Sequence, residues 1–266
     1  MILSRLSRAT LRIWAVVVVT FLFVPLAVVV LFAFDASNVQ TWPIHHWTLH
    51  WFSVAWNDQA VHSSFWLSIK AGVVATVIAL VLGTLVSFGL HRFKFFGREA
   101  ISLMLVLPIA LPGIVTGLAL QSTFSILNVN LSLFTIIIGH STFCIVVVFN
   151  NVIARLRRTS TTLMEASADL GASPSQTFRL VTVPTIRTAL IAGVLLAFAL
   201  SFDEVIVTTF TAGAQNTLPI WIFGAIQRGQ QLGEVNAVVV FVLALTALPI
   251  FYAARISSGE TISRTA

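Results

Sequence analysis

The chain has 266 residues, of which 58% are apolar and only 9% charged, and its mean hydropathy is +0.98. A soluble domain carries roughly 25% charged residues. This balance therefore excludes disorder, a disulfide scaffold and almost any cytosolic enzyme, and it puts most of the chain in a bilayer. The net charge of +6 and pI near 11.0 would suggest nucleic acid in a soluble protein. Here the positions of the charges point elsewhere.

A membrane span takes about 20 apolar residues to cross ~30 Å of hydrocarbon. Six stretches qualify, at 13–34, 65–90, 100–124, 131–153, 188–211 and 235–256. The first is too long for the apolar core of a signal peptide, and Ala33-Phe-Asp-Ala36 is a poor cleavage site, so it is expected to be a retained anchor. Thirteen of the fifteen basic residues fall before the first span, between the second and third, between the fourth and fifth, and at or after the end of the sixth. By the positive-inside rule these positions are cytoplasmic, and so are both termini. The high pI is a topology signal rather than a nucleic-acid footprint.

The external segments differ. Residues 35–64 hold four histidines, four tryptophans and two aspartates, with no Arg or Lys, which suits a piece lying in the membrane interface. His46 and His50, at i and i+4, match metal-ligand spacing on a helix. No third ligand stands beside them, so an interfacial polar face is expected instead of a metal. The apolar piece at 217–223 is too short to span and is expected to be re-entrant or interfacial. In the third span Pro108, Pro112, Gly113 and Gly117 favour a kink. Cys144, the single cysteine, lies inside the fourth span, is expected to be a small buried hydrophobe and permits no intrachain disulfide. Nowhere is there a nucleophile elbow, a zinc-protease motif or a phosphate-binding loop. Neither ATP hydrolysis by this chain nor a bound cofactor is expected.

The longest cytoplasmic segment, 154–187, is expected to form two short helices. The first covers 162–170 and stops at Gly171, suited to the left-handed position after a helix end. Ser173-Pro174-Ser175-Gln176 then forms a capping box with proline in the first helical position. The pattern predicts a hairpin projecting from the membrane, its Ala- and Ser-rich surface open to close packing by a partner.

Glu165-Ala166-Ser167-x-x-x-Gly171, followed by Val181-Thr182-Val183-Pro184, resembles the signature loop of binding-protein-dependent ABC importer permeases. Ser replaces the second alanine of that signature, and valines replace its isoleucine and leucine. In that family the loop is a coupling helix that seats on an ATPase subunit, which implies docking roles for Glu165, Ala166, Asp169 and Gly171. The stretches Thr142-Phe-Cys144, Asp169-Leu-Gly-Ala-Ser173, Ser201-Phe-Asp-Glu-Val205 and Glu234-Val-Asn-Ala237 are similar to the second permease of spermidine/putrescine importers. That resemblance implies a substrate path through Trp51, Ser201, Asp203 and Glu204. It also implies an all-α polytopic fold of six membrane helices, the type I importer permease fold, in a bacterial inner membrane. The expected partners are a second, homologous permease, an ABC ATPase dimer, an external substrate-binding protein and membrane lipid. The expected organisation is an anchor and external segment at 1–64, a permease core at 65–256 and a tail at 257–266.

The residues themselves agree with a path at Asp203 and Glu204. On a helix starting near Thr188, Asp203 lies 15 residues in, or ~22 Å at ~1.5 Å per residue. A carboxylate at that depth costs several kcal/mol unless it faces water, a cation or a partner. Neighbouring helix positions point ~100° apart, so one carboxylate is expected to meet the solute and the other a neighbouring protein. A pair held by Arg228 or Lys70, or a helix that ends early, is the alternative. Polyamine permeases commonly carry an acid after the proline of the third span, whereas Gly113 follows Pro112 here. The solute therefore stays open between a polyamine and another small amine or amino-acid-like compound. A self-sufficient secondary transporter or channel would predict inverted repeats, which are not seen, and would leave the hairpin without a role.

Overall fold

The computed structural model describes residues 4–37, 40–160, 162–229 and 231–262. Arg264, in the predicted tail, and residues 38–39 of the predicted external segment lie outside them. The described residues are helical apart from loops and one isolated antiparallel bridge between Asp35 and Trp47. In chain order the helices are α1 (Arg5–Phe32), α2 (His50–Asn57), α3 (Gln59–Arg92), α4 (Arg98–Ala110), α5 (Gly113–Ile126) and α6 (Leu133–Arg157). They continue with α7 (Thr162–Asp169), α8 (Pro174–Thr177), α9 (Val183–Phe202), α10 (Ile206–Thr211), α11 (Leu218–Arg228) and α12 (Leu232–Ile262).

Four unbroken helices are long and apolar enough to cross a membrane: Leu6–Phe32, Gln59–Arg92, Leu133–Arg157 and Pro174–Phe202. They correspond to the first, second, fourth and fifth predicted spans. The third is not a kinked helix but two, α4 and α5, bent by 102°. Pro112 is the cause, because its ring disfavours helical geometry at Leu111, which is extended with ψ 144°, and it donates no N–H. The sixth predicted span, 235–256, falls inside α12 (Leu232–Ile262), whose first part, Leu232–Ala247, is apolar. The fifth differs most from expectation. It starts at Pro174 rather than Thr188, and it ends at Phe202, ahead of the carboxylates. The helix is continuous because α8 runs through a π-helical turn at Phe178–Thr182 into α9. Pro184, in the first turn of α9 just after the π turn, contributes no backbone N–H.

The chain divides into two compact units, Ser63–Trp221 and the pair of segments Met1–His62 with Ile222–Ala266. In the first, Cys144, Val148, Val152 and Leu156 make a four-residue-spaced stripe on α6, packed with Ile186 and Ala197 of α9 and Ala79 of α3. Lipid tails are as apolar as these side chains, so burial alone favours little; close packing and interhelical hydrogen bonds hold such contacts. The Ser87 hydroxyl, 2.7 Å from Gly83 O in its own helix, also lies 3.2 Å from Phe149 O of α6, and the Cys144 thiol lies 3.3 Å from Ala197 O. In the second unit Phe52 and Trp56 of α2 pack edge-on against Phe241 of α12. Trp42, Trp47 and Trp56 are exposed, as an interfacial segment requires, whereas Trp51 is buried. His50 opens α2 while His46 precedes it, so the two never share a helix face.

Candidate functional site

Asp203 and Glu204 sit in the interruption between α9 and α10, not on a continuous helix. Asp203 closes α9 with φ −90° and ψ 0°, its N–H donating to Ala199 O at 3.1 Å, and its side chain is exposed. Glu204, half-buried, turns the other way: its Oε1 accepts from the backbone N–H of Val207 at 2.9 Å. That carboxylate satisfies a free donor in the first turn of α10, where the helix end also favours negative charge. The expectation of two carboxylates ~100° apart on one helix is thus replaced by a division of labour. One caps a helix, and the other is open.

α10 is short and closely held. A Cβ added at Gly139 of α6 would stand 3.2 Å from Val207 and 3.3 Å from Thr211, so the two helices approach at a side-chain-free point. Thr135 Oγ1 donates to Thr211 O at 2.7 Å, satisfying a carbonyl at the other end of α10. On the α5 side, a Cβ at Gly113 would lie 3.5 Å from Ile206, the first residue of α10. Gly113, which follows the proline of the third predicted span, is therefore beside the break.

Ser201 is 3% exposed and lies 2.7 Å from Nδ1 of His140, a residue of α6 that is 1% exposed. The Nε2 of the same ring lies 2.8 Å from Thr208 Oγ1 in α10. His140 contacts both sides of the break, and the motifs do not reach it. Its signal in the sequence is an ionisable ring inside an apolar run, where a polar group is expensive unless partnered.

The hairpin has the caps its sequence predicts. Gly171 adopts φ +78°, where a Cβ would be strained. Ala172 N–H donates to Ser167 O at 3.1 Å and Gly171 N–H to Ala168 O at 2.8 Å, which together close α7 in a Schellman motif. Ser173 N–H donates to Gln176 Oε1 at 2.8 Å and Gln176 N–H to Ser173 Oγ at 3.4 Å, completing the capping box. The hydroxyls of Ser167 and Thr177, 2.9 Å apart, join α7 to α8. Glu165, Ala166, Asp169 and Gly171 are exposed, and Leu170 is 89% exposed at the turn. A cleft of about 460 Å³ separates the hairpin from Phe88, His91 and Arg92 at the end of α3.

Trp51 belongs to the other compact unit. It is 8% exposed, its indole N–H donates to Asp35 O at 2.7 Å, and its ring lies against Gly233, leaving no room for a Cβ there. Glu234 and Asn236, from the stretch that opens α12, are buried too. Among the described residues no group of three or more metal-ligating side chains occurs.

Residues 79–258 match the family of binding-protein-dependent transport system inner membrane components. The chain is 32% identical to the putrescine transport system permease protein PotI of Escherichia coli (strain K12), over 90% of this chain and 89% of that protein. It is 28% identical to the spermidine/putrescine transport system permease protein PotC of the same strain, covering 92% of each. In fold it is similar to a chain of a bacterial ABC transporter involved in the import of the acidic polysaccharide alginate. That likeness has a TM-score of 0.69 at 16% identity and covers 95% of this chain and 99% of the other.

Proposed function

The chain belongs to the binding-protein-dependent transport system inner membrane components, and from that premise we propose that it forms half of the pathway of an ATP-driven importer for a small cationic solute, a polyamine such as putrescine or spermidine. It is a multi-pass membrane protein of an importer that also includes an ATPase and a substrate-binding protein. The finer parts of the proposal are a second, similar permease completing the pathway, lipid around the spans, both termini in the cytoplasm, and no chemistry in this chain. The proposed organisation keeps an anchor and external segment at 1–64, the core at 65–256 and the tail at 257–266.

One observation carries the proposal: a doubly capped, exposed hairpin continues without interruption into the helix that ends at the carboxylates. From Pro174 to Phe202 is 29 residues, about 43 Å of helix at ~1.5 Å per residue. A helix of that length transmits a displacement at one end to the other, so a partner that grips Glu165, Ala166, Asp169 and Gly171 acts at Asp203. In the proposed cycle ATP closes the ATPase dimer, moves the hairpin and opens the pathway outward, and hydrolysis resets it. Asp203 supplies an exposed carboxylate for an ammonium group, with Ser201 and Glu204 shaping the break; Trp51 is proposed as a further residue of the path. Support for a polyamine comes from what the relatives transport and from an anionic group at the break. Gly113, where such permeases commonly carry an acid, favours a diamine, or another small amine, over spermidine.

The test is uptake of labelled putrescine and spermidine in cells with the chain, without it, and with Asp203→Asn, together with co-purification of an ATPase. The expected result is uptake that falls on deletion and in Asp203→Asn, with the ATPase retained in the variant. Uptake of both solutes unchanged by deletion would remove the polyamine assignment, and purification free of any ATPase would remove the importer.

A further inference from the structure

The break at 203–205 is bridged by a single ring. Thr208 Oγ1 donates to Glu204 O at 2.7 Å, so its one proton is committed to that carbonyl. Toward His140 the same oxygen must then accept, which puts the imidazole hydrogen on Nε2, 2.8 Å away. The neutral ring has no hydrogen left for Nδ1, which accepts from the Ser201 hydroxyl at 2.7 Å. The direction of the whole chain follows: Ser201 to His140, His140 to Thr208, Thr208 to the Glu204 carbonyl. Every donor is used once, and His140, Ser201 and Thr208 are almost wholly buried. Ser201 belongs to the last turn of α9 and Thr208 to α10, while His140 belongs to α6. The ring thus ties both sides of the interruption to a third helix.

We propose that His140 is a positioning residue for the transported cation: by clamping Ser201 and Thr208 it sets the angle between α9 and α10, and with it where the Asp203 carboxylate points. The inference rests on the reading that Asp203 meets the solute, and the experiment separates the two. Uptake of labelled putrescine is measured as a function of concentration in cells expressing the complete importer, with the permease wild type, His140→Ala, His140→Gln, Thr208→Val or Asp203→Asn, each normalised to the amount in the membrane. A ring that only supports folding changes the amount of transporter and leaves the half-saturating concentration alone. A positioning ring raises that concentration on removal, by about tenfold for two buried hydrogen bonds lost. His140→Gln, which keeps an amide N–H and a carbonyl in the same place, recovers most of the affinity. Thr208→Val, nearly isosteric, gives an intermediate shift and serves if His140→Ala does not accumulate.

A second readout needs no knowledge of the solute. With Cys144 replaced by alanine, a cysteine at position 203 or, as control, at the exposed position 122 is labelled with an impermeant thiol reagent. Removal of His140 is expected to alter the rate at 203 several-fold and to leave that at 122 unchanged. Unchanged half-saturation and unchanged labelling at 203 in a fully inserted His140→Ala overturn the proposal, as do equal changes at both positions. If Asp203→Asn leaves putrescine uptake intact while labelling at 203 still depends on His140, the clamp stands and the solute assignment is what fails.

Discussion

Trp51 shows how one residue type serves two readings. The resemblance implies a place in the substrate path, and the structure gives its indole N–H to a buried carbonyl and its ring to Gly233. The two roles predict different kinetics. Trp51→Phe keeps the aromatic surface and removes the donor, leaving Asp35 O unpaired at a cost of about 1–3 kcal/mol. If the hydrogen bond is what matters, the variant loses thermal stability in detergent by that amount while its half-saturating solute concentration stays within about twofold of wild type. A large shift in concentration dependence with unchanged stability would assign the ring to the solute instead. Asp203 and Glu204 carry the complementary lesson. They are adjacent in sequence and chemically alike, yet one caps α10 and the other stays open, because the helix ends between Phe202 and Ile206.

Among the elements, the hairpin was the most legible. Its signals are local: a glycine required at φ +78°, a serine and a glutamine three residues apart, and a proline in the first turn. Each acts through backbone hydrogen bonds a few residues away, so no distant part of the chain is needed to interpret them. Gly171→Leu tests the element. Nothing lies within 4 Å of an added Cβ, so the penalty is conformational, about 1–2 kcal/mol for a left-handed residue. The expected outcome is normal abundance in the membrane with loss of solute uptake and weaker co-purification of the ATPase. Normal uptake by this variant would refute the docking role. The broken third span and the broken fifth were less legible. Pro112 announced a disturbance, but its size, 102°, depends on what α4 and α5 pack against. The end of α9 has no proline or glycine to announce it. Phe202, Asp203, Glu204 and Val205 are all tolerated in helices, and the interruption is stabilised by groups on α6 far away in sequence.

At the scale of the whole molecule, orientation rests on charge. The basic residues cluster in alternate connections, and translocating each would cost several kcal/mol, which is the basis of the proposed orientation. With Cys144 replaced by alanine, a cysteine at exposed Ser160 is expected to react with an impermeant reagent only in inverted vesicles, and one at exposed Asn57 only in right-side-out vesicles. Labelling of both from the same side would overturn the assignment of cytoplasmic termini. The two compact units divide within α3, at His62 and Ser63, and within α11, at Trp221 and Ile222. Trp51 belongs to one unit, and the carboxylates, His140 and the hairpin to the other. The residues named by resemblance therefore belong to two units, each with its own packing.

What the sequence determined by itself was whatever short-range chemistry controls. Apolar length marked candidate spans, four of which are unbroken helices, charge set their expected direction, and capping residues set the hairpin, since the groups involved are neighbours along the chain or act one at a time on the bilayer. The tertiary structure decided what depends on partners far apart in sequence. Ser201 and His140 are 61 residues apart, His140 and Thr208 are 68 apart, and Thr135 and Thr211 are 76 apart. Such bonds leave no periodic trace, because each needs only a hydroxyl and one polar partner placed by the fold. They hold open a break in the fifth span, and with it the exposed carboxylate that an unbroken helix would have turned to another face.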